Sequence, residues 1–135
     1  MTVPPFWKVY RELDRTRQIL AAALGRLYEP TLQRRHDRDR DRLLQFHHGS
    51  QKLGSKVALF LIYQPRGLSR SCLLTCRHLV LKGYSPLVIS NTPLSETDLG
   101  KLGATAWKVV VRPNYGYDFG GYRDGVLWLQ DQGIT

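Results

Sequence analysis

Apolar positions along the chain fall into distinct regimes. From Phe6 to Leu27 they recur alternately four and three residues apart, at Phe6, Tyr10, Leu13, Leu20, Leu24 and Leu27, with Arg17 interrupting the seam. Such spacing predicts one long amphipathic helix. Pro4 and Pro5 introduce it, and it is expected to end near Tyr28 because Pro30 disfavours helical geometry at Glu29. A helix packed on the rest of the protein is the plain reading. Lys8, Arg11 and Arg15 beside Phe6, Trp7 and Tyr10 keep a membrane-surface or partner-binding helix open.

The pattern changes at Arg34. RRHDRDRDR, residues 34–42, carries five arginines and three aspartates. Interleaved opposite charges cancel much of the field that would attract phosphate, so a solvated helix or linker is expected rather than a nucleic-acid arm. Residues 45–55, with Gly49, Ser50, Gly54 and Ser55, read as the join between an N-terminal extension, residues 1–55, and a folded domain, residues 56–135.

From Lys56 onward the chain alternates strand and helix. KVALFLIY is a continuous buried strand. Residues 69–82 form a helix with Leu73, Cys76, Leu79 and Val80 inward, closed by Gly83 as a left-handed cap. Pro86 to Ser90 is a second strand. Ser95 offers an N-cap, with Asp98 three residues on, to a short helix ending near Gly103. Ala106 to Val111 is a third strand, and Tyr122, Val126 and Leu129 follow at helical spacing. The series implies an α/β fold: a Rossmann-like, three-stranded parallel sheet in spatial order 3-2-1 with flanking helices, after a long N-terminal helix. Ligands of such sheets bind beyond the carboxyl ends of the strands. Here those ends are Tyr63-Gln64-Pro65, Ser90-Asn91-Thr92 and Arg112-Pro113-Asn114.

Composition narrows the field. A chain of 135 residues with 42% hydrophobic content suffices for one core. No signal-peptide pattern opens it, and the longest apolar run, residues 57–63, is far shorter than the roughly 20 residues that span a bilayer. A cytoplasmic protein, placed if anywhere at the inner face of the membrane, is the expectation. Cys72 and Cys76 share a helical face but lack a second pair to complete a zinc site, so buried free thiols are expected. The formal charge of +9 is dispersed, with eleven basic and six acidic residues in 1–55 and nine and five in 56–135. Dispersed charge without a recognised motif ranks nucleic acid last among partners.

The segment from Arg112 to Gly125, RPNYGYDFGGYRDG, sets four glycines and two carboxylates where a strand gives way to a helix. Backbone N–H groups and the positive helix end favour an anion there, and missing Cβ atoms admit close approach. Gly120 and Gly121 are therefore expected beside a diphosphate. The glycines at 116, 120, 121 and 125 do not match a dinucleotide fingerprint, and Tyr122 stands where a phosphate loop needs lysine. A kinase reading of Asp118-Phe119-Gly120 lacks the catalytic loop upstream.

KVALFLIYQPRGL, SNTPLS and RPNYGYDFGGYRDGV, in that order and spacing, resemble the amino-terminal half of rhamnan synthesis protein F domains. The resemblance covers residues 56–130 and implies a glycosyltransferase of GT-A type acting in cell-surface polysaccharide assembly, with a nucleotide-sugar donor and a glycan acceptor. By position, Tyr63 and Gln64 would border the nucleobase or ribose, and Asn91 would present a polar group to the base. Arg112, Asn114, Gly116 and Asp118 would line the donor cleft, and Arg123 would face a phosphate. Asp118 as a plain helix cap, and Arg123 as an exposed residue paired with a carboxylate, are the alternatives. The resemblance implies no cofactor in this chain. The Mg or Mn ion of such enzymes, and their general base, would belong to a later half of a full-length parent, so this chain is expected to be a truncated, inactive part. A noncatalytic interaction module of the same assembly system is the second reading.

Overall fold

A computed structural model describes residues 6–134. Pro4 and Pro5, expected to introduce the first helix, lie outside the described residues. The chain falls into two compact units divided between Asp39 and Arg40.

The first unit is helical. Helix α1 runs Phe6–Leu43, its last turn belonging to the second unit, and it does not end near Tyr28. Pro30 lies inside it. A proline deletes one backbone N–H bond and crowds the preceding turn, but the helix formers Leu32, Gln33, Arg34 and Arg35 resume it directly. The Arg-rich stretch is a helix with most of its side chains in solvent, as intercalated charge requires.

The second unit is a mixed α/β sandwich: β1 Gln45–His48, β2 Val57–Ile62, α2 Arg70–Leu81, β3 Ser85–Ser90, α3 Glu96–Gly103, β4 Lys108–Val111 and α4 Tyr117–Asp131. The sheet order is β1-β4-β3-β2. Strands β2, β3 and β4 are parallel and neighbours in the expected order. The sheet is nevertheless four-stranded and mixed, because β1 joins the far edge antiparallel to β4, pairing Gln45 with Val111 and His48 with Lys108. Part of the segment expected to be a join is thus structural. Gly49 N–H donates to the Trp107 carbonyl at 2.9 Å and Ser50 N–H to that of Gly103 at 2.8 Å, so the chain stays stitched to the α3–β4 turn. A Cβ at Gly49 would stand 1.9 Å from the Ala106 carbonyl oxygen, so that glycine serves close backbone approach.

Two cores flank the sheet. Phe60, Ile62, Val88 and Val109 pack with Cys72 and Cys76 of α2 and Leu102 of α3 on one face. Leu59, Leu61, Leu87, Ile89 and Val110 pack with Trp128 and Leu129 of α4 on the other, where Leu44 and Phe46 join them. Alternation along β2 and β3 sends successive side chains to opposite cores. The caps follow the sequence signals. Ser69 and Ser95 accept from Cys72 N–H at 3.4 Å and Asp98 N–H at 3.1 Å, and Gly83 has φ +82°. Both cysteines are free and buried, and burial raises the Cys76 thiol pKa while a hydrogen bond to Thr105 opposes the rise.

Candidate functional site

The carboxyl ends of β2, β3 and β4 lead into the loops and the start of α4 that carry the candidate residues, yet the structure sorts those residues into two tiers. The lower tier is buried and polar. Arg112, just past β4, is wholly enclosed, its side chain 0% exposed beside an Asp124 side chain at 2%. Its Nε donates to Asp124 Oδ2 at 2.8 Å, Nη1 to Asn91 Oδ1 at 2.6 Å and Nη2 to the Tyr115 carbonyl at 2.6 Å. Asn91 Nδ2 in turn donates to the Tyr117 carbonyl at 3.2 Å. A guanidinium supplies five donors in a rigid planar fork. Here that fork ties the last helix, the end of β3 and the glycine turn into one network. Arg112, expected to line the donor cleft, and Asn91, expected to present a polar group to the base, are both buried and outside the cleft lining, where they brace the turn.

Burying that pair also explains how α4 meets the sheet. Its inward face carries Gly121, Asp124 and Gly125, not Tyr122 and Val126, which are 43% and 42% exposed. A Cβ at Gly121 would fall 2.1 Å from Leu61 Cδ1, and one at Gly125 2.5 Å from Ile89 Cδ1. A Cβ at Gly120 would fall 2.2 Å from the Tyr115 carbonyl oxygen. Close packing of helix on sheet and of helix on its own entry turn therefore accounts for Gly120 and Gly121, which were expected to clear space for a diphosphate.

The upper tier is exposed. Tyr63, Asn114, Tyr117, Asp118 and Phe119 line an open cleft of about 540 Å³ above the strand ends. Tyr63 is 54%, Tyr117 74% and Phe119 90% exposed. Gly116 has φ +68° and Tyr117 φ +50°, so two successive residues enter α4 in left-handed geometry, rare for a bulky side chain. Backbone strain of this kind persists only where surrounding contacts impose it, and the Arg112 and Asn91 bonds to Tyr115 and Tyr117 do so. Gly116 is the N-cap without a side-chain cap bond, and Asp118 lies in the first turn of α4, so Asp118 is not the cap. The first turn of α4, with no side-chain cap bond at its N-cap and with the positive end of the helix dipole, thus lies at the cleft that Tyr117, Asp118 and Phe119 line.

The remaining candidates lie outside the cleft lining. Gln64 is half-buried, its Oε1 accepting from Ser69 N–H at 3.1 Å and its N–H donating to Thr92 Oγ1 at 3.2 Å, which fixes the β2–α2 loop. Arg123 is exposed on α4. The aromatic pair Tyr117 and Phe119, and the buried Asp124, were not singled out from sequence. A carboxylate on the same helical face as Gly121 and Gly125, and aromatics on either side of a helix-opening aspartate, were the available signals. Asp118 is the one carboxylate of the cleft lining, and among the described residues no three His, Cys, Asp or Glu side chains come together to hold a metal ion. A single carboxylate does not make a divalent-cation site by itself.

The chain is 42% identical over 86 residues to a protein of Sinorhizobium fredii (strain NBRC 101917 / NGR234) named uncharacterized protein y4gN. That alignment takes in 64% of the chain and 22% of the relative, so the chain spans about a fifth of the length of the protein it matches. No family model and no solved structure matches the chain.

Proposed function

We propose that this chain is the nucleotide-sugar-binding part of a GT-A-like glycosyltransferase of cell-surface polysaccharide synthesis, as its resemblance to rhamnan synthesis protein F domains implies. The observation that carries the reading is the cleft itself. An uncapped helix N-terminus suits a diphosphate, and Tyr63, Tyr117 and Phe119 offer ring faces for a base or sugar in the same open space. In this reading Asn114 and Asp118 bond donor hydroxyls, while Arg112, Asn91 and Asp124 hold the turn in place from below. Gln64 holds the β2–α2 loop through its bonds to Ser69 and Thr92, and Arg123 lies outside the cleft lining.

Titration of the chain with UDP-, GDP- and dTDP-sugars, followed by amide NMR, tests the proposal. Shifts are expected at Tyr63, Asn114 and residues 117–119, and Tyr117→Ala with Phe119→Ala should weaken them at least about tenfold, the loss that stacking contacts of about 1–3 kcal/mol predict. No shift with millimolar donor would refute it. Phe119, 90% exposed, favours one second reading, a docking module whose partner covers that ring. Under it, the cleft would take a protein partner and ignore all three nucleotides.

A further inference from the structure

Between Phe6 and Leu27, α1 leaves an apolar seam in solvent: Phe6 is 83% exposed, Tyr10 70%, Leu13 62%, Leu20 64%, Leu24 54% and Leu27 74%. A solitary helix gains little from propensity alone, so a stripe of this size calls for a cover. Its period is 3.5 residues. In heptad notation Tyr10, Arg17 and Leu24 take a, and Phe6, Leu13, Leu20 and Leu27 take d.

The charges decide what the cover is. Lys8, Arg11, Arg15 and Arg26 fall at f, b, f and c, on the side of the helix opposite the seam. Basic residues on the polar face suit a helix lying in a membrane interface as well as one facing a second helix. Arg17, however, lies inside the seam, where acyl chains would leave it without a counter-charge, whereas a second copy of this helix offers Asp14. Arg17 selects the direction. A parallel, in-register pair would stack Arg17 on Arg17 in one a layer. An antiparallel pair centred near Arg15 sets Phe6 against Leu24 of the partner subunit, Tyr10 against Leu20 of the partner subunit, and Leu13 against Arg17 of the partner subunit. There Arg17 lies beside Asp14 of the partner subunit, at an e position, and the two-fold axis repeats the contact. Asp14 already accepts from Gln18 Nε2 at 3.0 Å, and a carboxylate has capacity for a further donor.

We propose that α1 is a self-association element: two copies of this chain pair through an antiparallel coiled coil whose register is set by reciprocal Arg17 and Asp14 contacts. The overlap from Phe6 to Leu24 is about 28 Å long and falls just short of the roughly three heptads usual for a coiled coil, so the dimer dissociates on dilution.

Sedimentation equilibrium of the full chain from roughly 1 to 300 µM is the test, a range that brackets micromolar self-association. A monomer–dimer equilibrium is expected. Leu20→Glu, Asp14→Arg and Arg17→Asp should each weaken it by about tenfold or more, since each buries or opposes charge at the seam. The double exchange Asp14→Arg with Arg17→Asp should restore affinity to within about threefold of wild type, because the pair is reciprocal. Near-UV circular dichroism of the tryptophans in 40–135 reports that this unit is intact in every variant. A chain that stays monomeric throughout overturns the proposal, as does a double exchange no better than its single parents. Seam-dependent binding to phosphatidylserine vesicles by a monomeric chain also overturns it and assigns the face to membranes.

Discussion

Removing the Asp124 carboxylate should cost the 40–135 unit a large part of its stability. In Asp124→Ala the Arg112 guanidinium keeps its acceptors on Asn91 and Tyr115 but loses its counter-charge while remaining enclosed. Two unit charges about 4 Å apart attract by about 4 kcal/mol at the effective dielectric suited to protein sites, and breaking one side of a buried pair costs about 3–5 kcal/mol. A domain of this size has about 5–14 kcal/mol to lose. The equilibrium constant for unfolding should therefore rise more than about a hundredfold. Urea unfolding followed by fluorescence of Trp107 and Trp128, in a Trp7→Phe background so that α1 is silent, gives the difference from midpoint and slope. Arg112→Met should cost a comparable amount. The double variant Arg112→Met with Asp124→Ala should lose less than the sum of the two, by about 1–3 kcal/mol, since the second change removes the charge the first one stranded. A loss below about 1 kcal/mol in Asp124→Ala, or strict additivity in the double, would refute the bracing network as a stabilising unit.

Gly120→Ala should destabilise the unit more than Gly121→Ala, because the first clashes with the Tyr115 backbone carbonyl and the second with the movable end of Leu61; overpacking of about 1–3 kcal/mol is expected for the latter, and thermal melts that rank them the other way would contradict it. Tyr117→Gly should leave stability unchanged or raise it by up to about 1 kcal/mol, by relieving the left-handed geometry at φ +50°, while weakening donor binding; a stability loss would show that the ring packs. Lys108 Nζ lies 4.7 Å from the Trp128 ring centroid, 5.4 Å from Trp107 and 6.0 Å from Phe46, and burial lowers its pKa from 10.5. A lowered pKa means that the unfolded chain binds more protons just below pH 10.5, so this group makes stability rise with pH there, whereas the raised thiol of Cys76 makes it fall above pH 9.0. Comparing wild type with Lys108→Met over pH 8–10.5 cancels the thiol contribution, and the rise should vanish in the variant; a fall lost in the variant would show that the ring faces outweigh burial.

Strand and helix periodicity made β2, α2, β3, α3 and β4 legible, along with their order in the parallel part of the sheet, because each carries a buried face and a local cap. Two elements were not legible for physical reasons. QFHH is a short, mostly polar strand whose reasons to be a strand, the edge of β4 and the Trp128 ring that Phe46 meets, lie sixty residues and more later in the chain. Pro30 punctuates a helix whose flanking residues have enough propensity to continue. At the strand ends, residue type did not tell which side chains are buried and which line the cleft. Arginine and asparagine at strand ends suit a ligand or an internal brace equally well, and only burial separates the two. Glycines likewise read as room for an anion, when Gly121 is spent on the Leu61 side chain.

The placement of β1 also has a consequence in time. His48 leaves the ribosome sixty residues ahead of its partner Lys108, which at about 5–20 residues per second is a wait of about 3–12 s. Phe46 waits longer still, for Trp128, whose ring centroid it meets at 4.9 Å. The first strand made is thus the last to be paired, and any nascent chain or fragment that stops short of β4 carries an edge segment with nowhere to go.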